Sequence, residues 1–176
     1  GFYNNVNVKI KWVESESFID DSFVAAAFQS VGGVIVPGGF GMRGIEGKLN
    51  VIKFARENNI PFLGICLGMQ CAVIEFARNI LHLKTANSTE FDEKTKHPLV
   101  HILPDQDLNK LGGTMRLGNW ECQIKANSLA ASIYKKKTIT ERHRHRYEVN
   151  SAYIKQLESN GLLFTGISKI GRLPEI

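Results

Sequence analysis

Cys66 sits between two glycines, in Pro61-Phe62-Leu63-Gly64-Ile65-Cys66-Leu67-Gly68-Met69-Gln70. A thiol can act as a nucleophile, a metal ligand or a disulfide partner, and its surroundings decide which. Apolar Phe62, Leu63 and Ile65 read as a short buried strand opened by Pro61. Beyond the cysteine, Ala72, Val73, Phe76 and Ile80 recur at helical spacing. Strand, sharp turn, helix is the setting of a nucleophile elbow, here with Cys in the place of Ser. Gly64 and Gly68 lack a Cβ, so neighbouring backbone can approach the turn. The helix N-terminus offers unpaired N–H groups and a positive dipole end, which together favour a thiolate at Cys66. The bland alternative is a buried structural cysteine, the usual fate of this residue type. Cys71, inside the helical pattern, reads as packing.

A nucleophile needs a frame. Val34-Ile35-Val36 is an uninterrupted β-branched run, the mark of a strand buried on both faces. It runs into Pro37-Gly38-Gly39-Phe40-Gly41-Met42-Arg43-Gly44-Ile45-Glu46-Gly47-Lys48, a glycine-rich loop where open α/β sheets place ligands. The loop does not fit the phosphate-binding pattern, because Leu49 follows Lys48. Lys48 to Asn58 then reads as a helix before the strand that delivers Cys66. Two strand–loop–helix units in succession predict an α/β fold with a doubly wound, mostly parallel sheet flanked by helices. Their strand ends, side by side, bring Gly38 and Gly39 near Cys66.

The remaining elements are read from pattern. Val6 to Val13 alternates apolar with polar and predicts a strand. Phe23, Ala26 and Ala27 predict a short helix capped by Asp20 or Asp21. Thr85 to Phe91 reads as a solvated loop and Leu99 to Leu103 as a strand. Asp105 to Lys110 is turn-like, and Leu111 to Ile124 is a hairpin region. Ser128 to Tyr134 and Tyr153 to Gln156 suggest helices, and Leu162 to Ile167 a last strand.

Glu141-Arg142-His143-Arg144-His145-Arg146-Tyr147-Glu148-Val149-Asn150 is the second stretch with chemistry in it. Read alone it is a basic patch for nucleic acid or an anionic nucleotide. Its alternation is strand-like, and a guanidinium on such a strand fits a carboxylate ligand. His143 and His145 lack partners at metal-site spacing, so no metal is expected. At 176 residues, 43% hydrophobic and 22% charged, the chain suits one domain with a real core. No apolar run is long enough for a membrane span, and three cysteines without a Cys-x-x-Cys pair suggest a reducing, cytoplasmic setting.

Together with Pro37 to Lys48, Ala86 to Phe91, Gly112 to Gly118 and Glu141 to Asn150, the elbow resembles the class I, triad-type glutamine amidotransferase domain of the CTP synthase family. The resemblance runs over nearly the whole chain. It implies attack by Cys66 on the glutamine side-chain amide, through a γ-glutamyl thioester. Ammonia would pass to a separate synthetase domain that uses ATP and Mg2+ to aminate UTP to CTP. The amides of Gly38 and Leu67 would form the oxyanion hole. Glutamine contacts would fall on Gly39, Phe40, Leu67, Gly68, Met69, Gln70, Glu90 and Arg146. Glu90 suits the substrate ammonium and Arg146 its carboxylate. Gly41 to Lys48 resembles a lid linked to the allosteric activator GTP. No cofactor is implied in this domain, no nucleic acid or membrane partner, and a homo-oligomer for the full enzyme.

One departure stands out. The family's base and its orienting partner lie in a His-Pro-Glu motif, and these 176 residues contain none; His97-Pro98 is followed by Leu99. The expectation is an incomplete domain, clipped at both ends, with little glutaminase activity. A non-catalytic glutamine- or nucleotide-binding module of the same fold is the alternative. A nucleic-acid binder is a third reading, which predicts strongly salt-dependent binding.

Overall fold

The computed structural model of the chain describes residues 1–102 and 116–176. Its centre is a parallel pair, β1 (Val34–Val36) and β2 (Phe62–Gly64), in register from Val34 opposite Phe62 to Val36 opposite Gly64. Three helices accompany it: α1 (Asp21–Phe28), α2 (Ile45–Glu57) and α3 (Leu67–Asn79). Asp20 caps α1, accepting from the Ser22 N–H at 2.8 Å. Helix α2 takes in Ile45 to Gly47, three residues assigned to the loop by sequence. Val34, Val36, Leu49, Ile52, Leu67 and Ile74 meet in one hydrocarbon core.

Ile35, predicted to be buried, is 66% exposed, and Leu63 beside it is exposed as well. Strand side chains alternate in direction, so only one face of the pair meets the core. The alternating run Val6 to Val13 is a second correction. No described strand pairs with it, and its apolar side chains are exposed, Trp12 by 86%. Alternation supplies a face, but a strand also needs a neighbour for its N–H and C=O groups.

Two further sheets follow. β3 (Ala86–Ser88) pairs in parallel with β4 (His97–Ile102), which pairs antiparallel with β7 (Tyr147–Val149). Ala86 to Ser88 is therefore a strand rather than solvated loop, with Ala86 and Ser88 fully buried. β5 (Arg116–Ile124) lies between β6 (Thr138–His145) and β8 (Gly166–Ser168), antiparallel to both. The hairpin region is thus a wide one, with α4 (Leu129–Tyr134) in its connection, capped by Ser128. Asn150 caps α5 (Ser151–Ser159). The last strand begins only at Gly166, four residues later than its pattern. Residues 103–115 lie outside the described residues, and with them the turn at 105–110 and most of the glycine-rich run at 111–118. Among the described residues no helix is long and apolar enough to cross a membrane.

Candidate active site

The elbow is built from three backbones pressed together. Ile65 N–H donates to the Val36 carbonyl at 2.9 Å, tying the turn to the end of β1. A Cβ on Gly64 would lie 2.6 Å from the Gly68 carbonyl carbon, and one on Gly68 only 2.0 Å from the Val36 oxygen. Neither position admits a side chain, which accounts for the Gly-x-Cys-x-Gly spacing. Cys66 itself takes φ 53° and ψ −107°. Positive φ in a residue with a Cβ is strained, and such strain is held only where surroundings over-determine it.

The neighbouring loop arrives as predicted. A Cβ built on Gly38 would touch the Cys66 Cβ at 3.4 Å. The Gly38 N–H has no backbone partner among the described residues. Electrostatics correct one expectation, since the thiol is pushed up rather than down. Burial is the main cause, and the Glu90 and Glu148 carboxylates add to it, against the lowering pull of the Leu67 N–H. Cys71 is buried and pushed up to about 12, in keeping with packing.

Cys66 opens on a cleft of about 320 Å³. Gly39, Phe40, Gln70, Glu90 and Arg146, all flagged in the sequence, line it together with His145 and Tyr147. Leu67, Gly68 and Met69 do not line it; they form the first turn of α3. The Gln70 side chain is already used, its Nε2 donating to the Tyr147 carbonyl at 3.1 Å. Glu90 Oε1 accepts from the Gly41 N–H at 2.9 Å, pinning the glycine-rich loop to the cleft. Arg146 has no hydrogen bond or ion pair among the described residues. It sits in the bend between β6 and β7, while Arg142 and Arg144 stand exposed on β6.

Behind Arg146 and Tyr147 lies a buried polar cluster that sequence reading missed. Arg116, 4% exposed, reaches Glu148 at 3.4 Å, donates to Ser168 Oγ at 3.1 Å and pairs with Glu175. His143 Nδ1 and His145 Nε2 share a hydrogen bond of 2.9 Å, and His145 Nδ1 lies 3.1 Å from the Tyr147 carbonyl. His145 Nδ1 is also 3.3 Å from Glu148. Burial, with the neighbouring His143, pushes His145 down to about 4. Burial pushes Glu148 up to about 7, although Arg116 pulls the other way. The only signal in the sequence was the density of charge in Arg142 to Glu148, which a solvated strand explains equally well. Among the described residues no group of His, Cys, Asp and Glu could hold a metal ion.

A thiol on a glycine-locked corner thus faces a cleft lined by one carboxylate, Glu90, and one free guanidinium, Arg146. The family profile described as Glutamine amidotransferase class-I matches residues 2–176. The chain belongs to this family. Among its relatives, the CTP synthase of Staphylococcus saprophyticus is 51% identical over 177 residues, covering 100% of this chain and 33% of that protein. The CTP synthase of Methanococcoides burtonii is 56% identical over 162 residues, 92% of this chain and 30% of that protein. The amidotransferase chain thus spans about a third of the length of these curated relatives. Among solved structures, the Trypanosoma brucei CTPS glutaminase domain with bound acivicin superposes with a TM-score of 0.89. It is 40% identical and covers 98% of this chain and 67% of that one. The match supports an α/β fold of parallel strand pairs flanked by helices.

Proposed function

We propose that this chain is the glutamine-hydrolysing part of a CTP synthase. The observation that carries the reading is the convergence of Cys66, Glu90 and Arg146 on one cleft at a nucleophile elbow. A free Arg146 guanidinium can take the α-carboxylate of glutamine in its fork. Glu90, fixed through Gly41, can take the α-ammonium. The side-chain amide then lies over Cys66. Its sulfur adds to the amide carbon as the thiol gives up its proton. The Gly38 and Leu67 N–H groups face the oxygen that becomes negative, and such donors are worth about 3 kcal/mol each in other enzymes. The C–N bond then breaks as the leaving nitrogen takes up the proton the thiol released and departs as ammonia, and water hydrolyses the thioester to glutamate, restoring the thiol. In the longer protein, ammonia goes to a synthetase domain, where ATP and Mg2+ support amination of UTP. GTP would act as the allosteric activator over the Gly41 to Lys48 loop.

Attack by the sulfur needs its proton removed. Cys66 is held protonated at neutral pH, and His145, at about 4, is a poor acceptor for it. The 176 residues taken alone therefore turn glutamine over slowly, and glutamine binding without turnover is the second reading.

Acivicin, the ligand bound in the Trypanosoma brucei glutaminase domain, tests the proposal. Thiolate attack displaces its chloride and leaves a covalent adduct. The expected result is one adduct per chain, at Cys66, suppressed by glutamine and lost in Cys66→Ala. A folded chain whose Cys66 stays unmodified at saturating acivicin overturns it.

A further inference from the structure

Arg146 and Tyr147 belong to no long element. They lie at and just past the bend where β6 gives way to β7, between an antiparallel sheet and a mixed one. What holds such a bend in place decides where the free guanidinium points. Glu148, the next residue, is 2% exposed, and its carboxyl meets Arg116, the first residue of β5. This contact joins the two sheets directly behind the cleft. Arg116 is itself held by Ser168 on β8 and by Glu175. Cores of this size usually use hydrocarbon at such a junction, and a buried ion pair is a costly substitute. The pocket side of the same three residues is fastened separately. Gln70 and His145 both reach the Tyr147 carbonyl.

We propose that Glu148 is a positioning residue: clamped by Arg116 across the two sheets, it fixes the Arg146–Tyr147 wall of the cleft and so sets the grip on the carboxylate of an amino-acid substrate. The inference rests on the glutamine reading of the cleft above. It differs from a general stabilising role because it predicts a selective effect on carboxylate-bearing ligands. Glu148 touches no substrate and acts only through the residues beside it.

Alkylation kinetics of Cys66 separate these roles in the full protein at pH 8, where Glu148 carries its charge. Acivicin, with its α-carboxylate, yields a saturating rate and a half-saturation concentration. Iodoacetamide, an uncharged electrophile, reports the thiol alone. In Glu148→Gln the half-saturation concentration for acivicin should rise about tenfold, as when one charge-assisted contact is misplaced. The saturating rate and the iodoacetamide rate should hold or rise together, because Glu148→Gln also removes a charge that raises the Cys66 thiol. Unchanged acivicin saturation in folded Glu148→Gln overturns the inference, as does an equal loss with both reagents. If Glu148→Gln does not fold, Arg116→Met combined with Glu148→Met replaces the pair by hydrocarbon, which buried pairs often tolerate. The double variant should show the same tenfold rise, and wild-type saturation in it overturns the inference. A wild-type protein that never reacts with acivicin sinks the glutamine reading and this inference together. A reactive wild type beside an unaltered variant sinks this inference alone.

Discussion

The two walls of the cleft are held by different means. The Cys66 wall stands mainly on hydrocarbon: β1, β2, α2 and α3 enclose Leu49, Ile52, Val73 and Ile74, each at most 4% exposed, with one buried carboxylate, Glu75, paired to Arg56. The Arg146 wall stands on buried charge. Among the described residues its antiparallel sheet has a small buried core of Cys122, Ile124, Ala130 and Ile139, while Arg116, Glu148, Glu175, His143 and His145 fill the space behind the cleft. Hydrocarbon packing is indifferent to pH and sets Cys66 rigidly. Buried ionisable groups respond to pH and to substitution of any partner, so the Arg146 wall is the more tunable one.

The largest effect should come from the hydrocarbon side. Gly68→Ala forces a Cβ against the Val36 carbonyl, and a loss of about 3 kcal/mol or more is expected in urea unfolding. Ile74→Ala should cost about 3 kcal/mol by the same measurement, with no change between pH 7 and pH 5 beyond that of wild type. Equal sensitivity of both walls to pH would break the comparison.

The polar side should show two opposed slopes. His145 has a lowered pKa, so the stability it contributes is present above about 6.5 and falls away as pH drops toward about 4. Glu148 has a raised pKa, so its contribution is present below about 4.5 and fades as pH rises through about 7. Between pH 7 and pH 5 each is worth about 2 kcal/mol, and the two nearly cancel in wild type. His145→Gln should therefore gain relative stability at pH 5, and Glu148→Gln should lose it. Matching pH profiles for wild type and both variants would show that neither group titrates in this window. The smallest effect should come from Lys169→Ala. Its ion pair with Glu121 lies on the same antiparallel sheet but is more than half exposed, and no shift of the urea midpoint is expected. A clear shift there would mean that charge, rather than burial, distinguishes the two walls.

The parallel half was legible because its signals are local. The β-branched run, the glycine-rich loop and the elbow each carry their own geometry, and the register of Val36 against Gly64 brought Gly38 to Cys66 as read. Failures came where a partner far along the chain decides the outcome. Val6 to Val13 has the pattern of a strand but no described neighbour to pair with. Ala86 to Ser88 has no strand pattern, yet β4 recruits it into a ladder. The raised thiol of Cys66 was misread because the helix end was visible in the sequence, while burial and the carboxylates of Glu90 and Glu148 were not. Arg116 and Glu148 are 32 residues apart, and nothing in either neighbourhood announces the contact.

The interlock of Gly64, Gly68 and the Val36 carbonyl has one more consequence. The last peptide of the first strand and the first turn of α3 behave as a single machined joint, with no clearance for an added methyl group. Efforts to retune this thiol by drawing its proton away must therefore act through the opposite side of the cleft. The corner that carries the sulfur has no slack to lend.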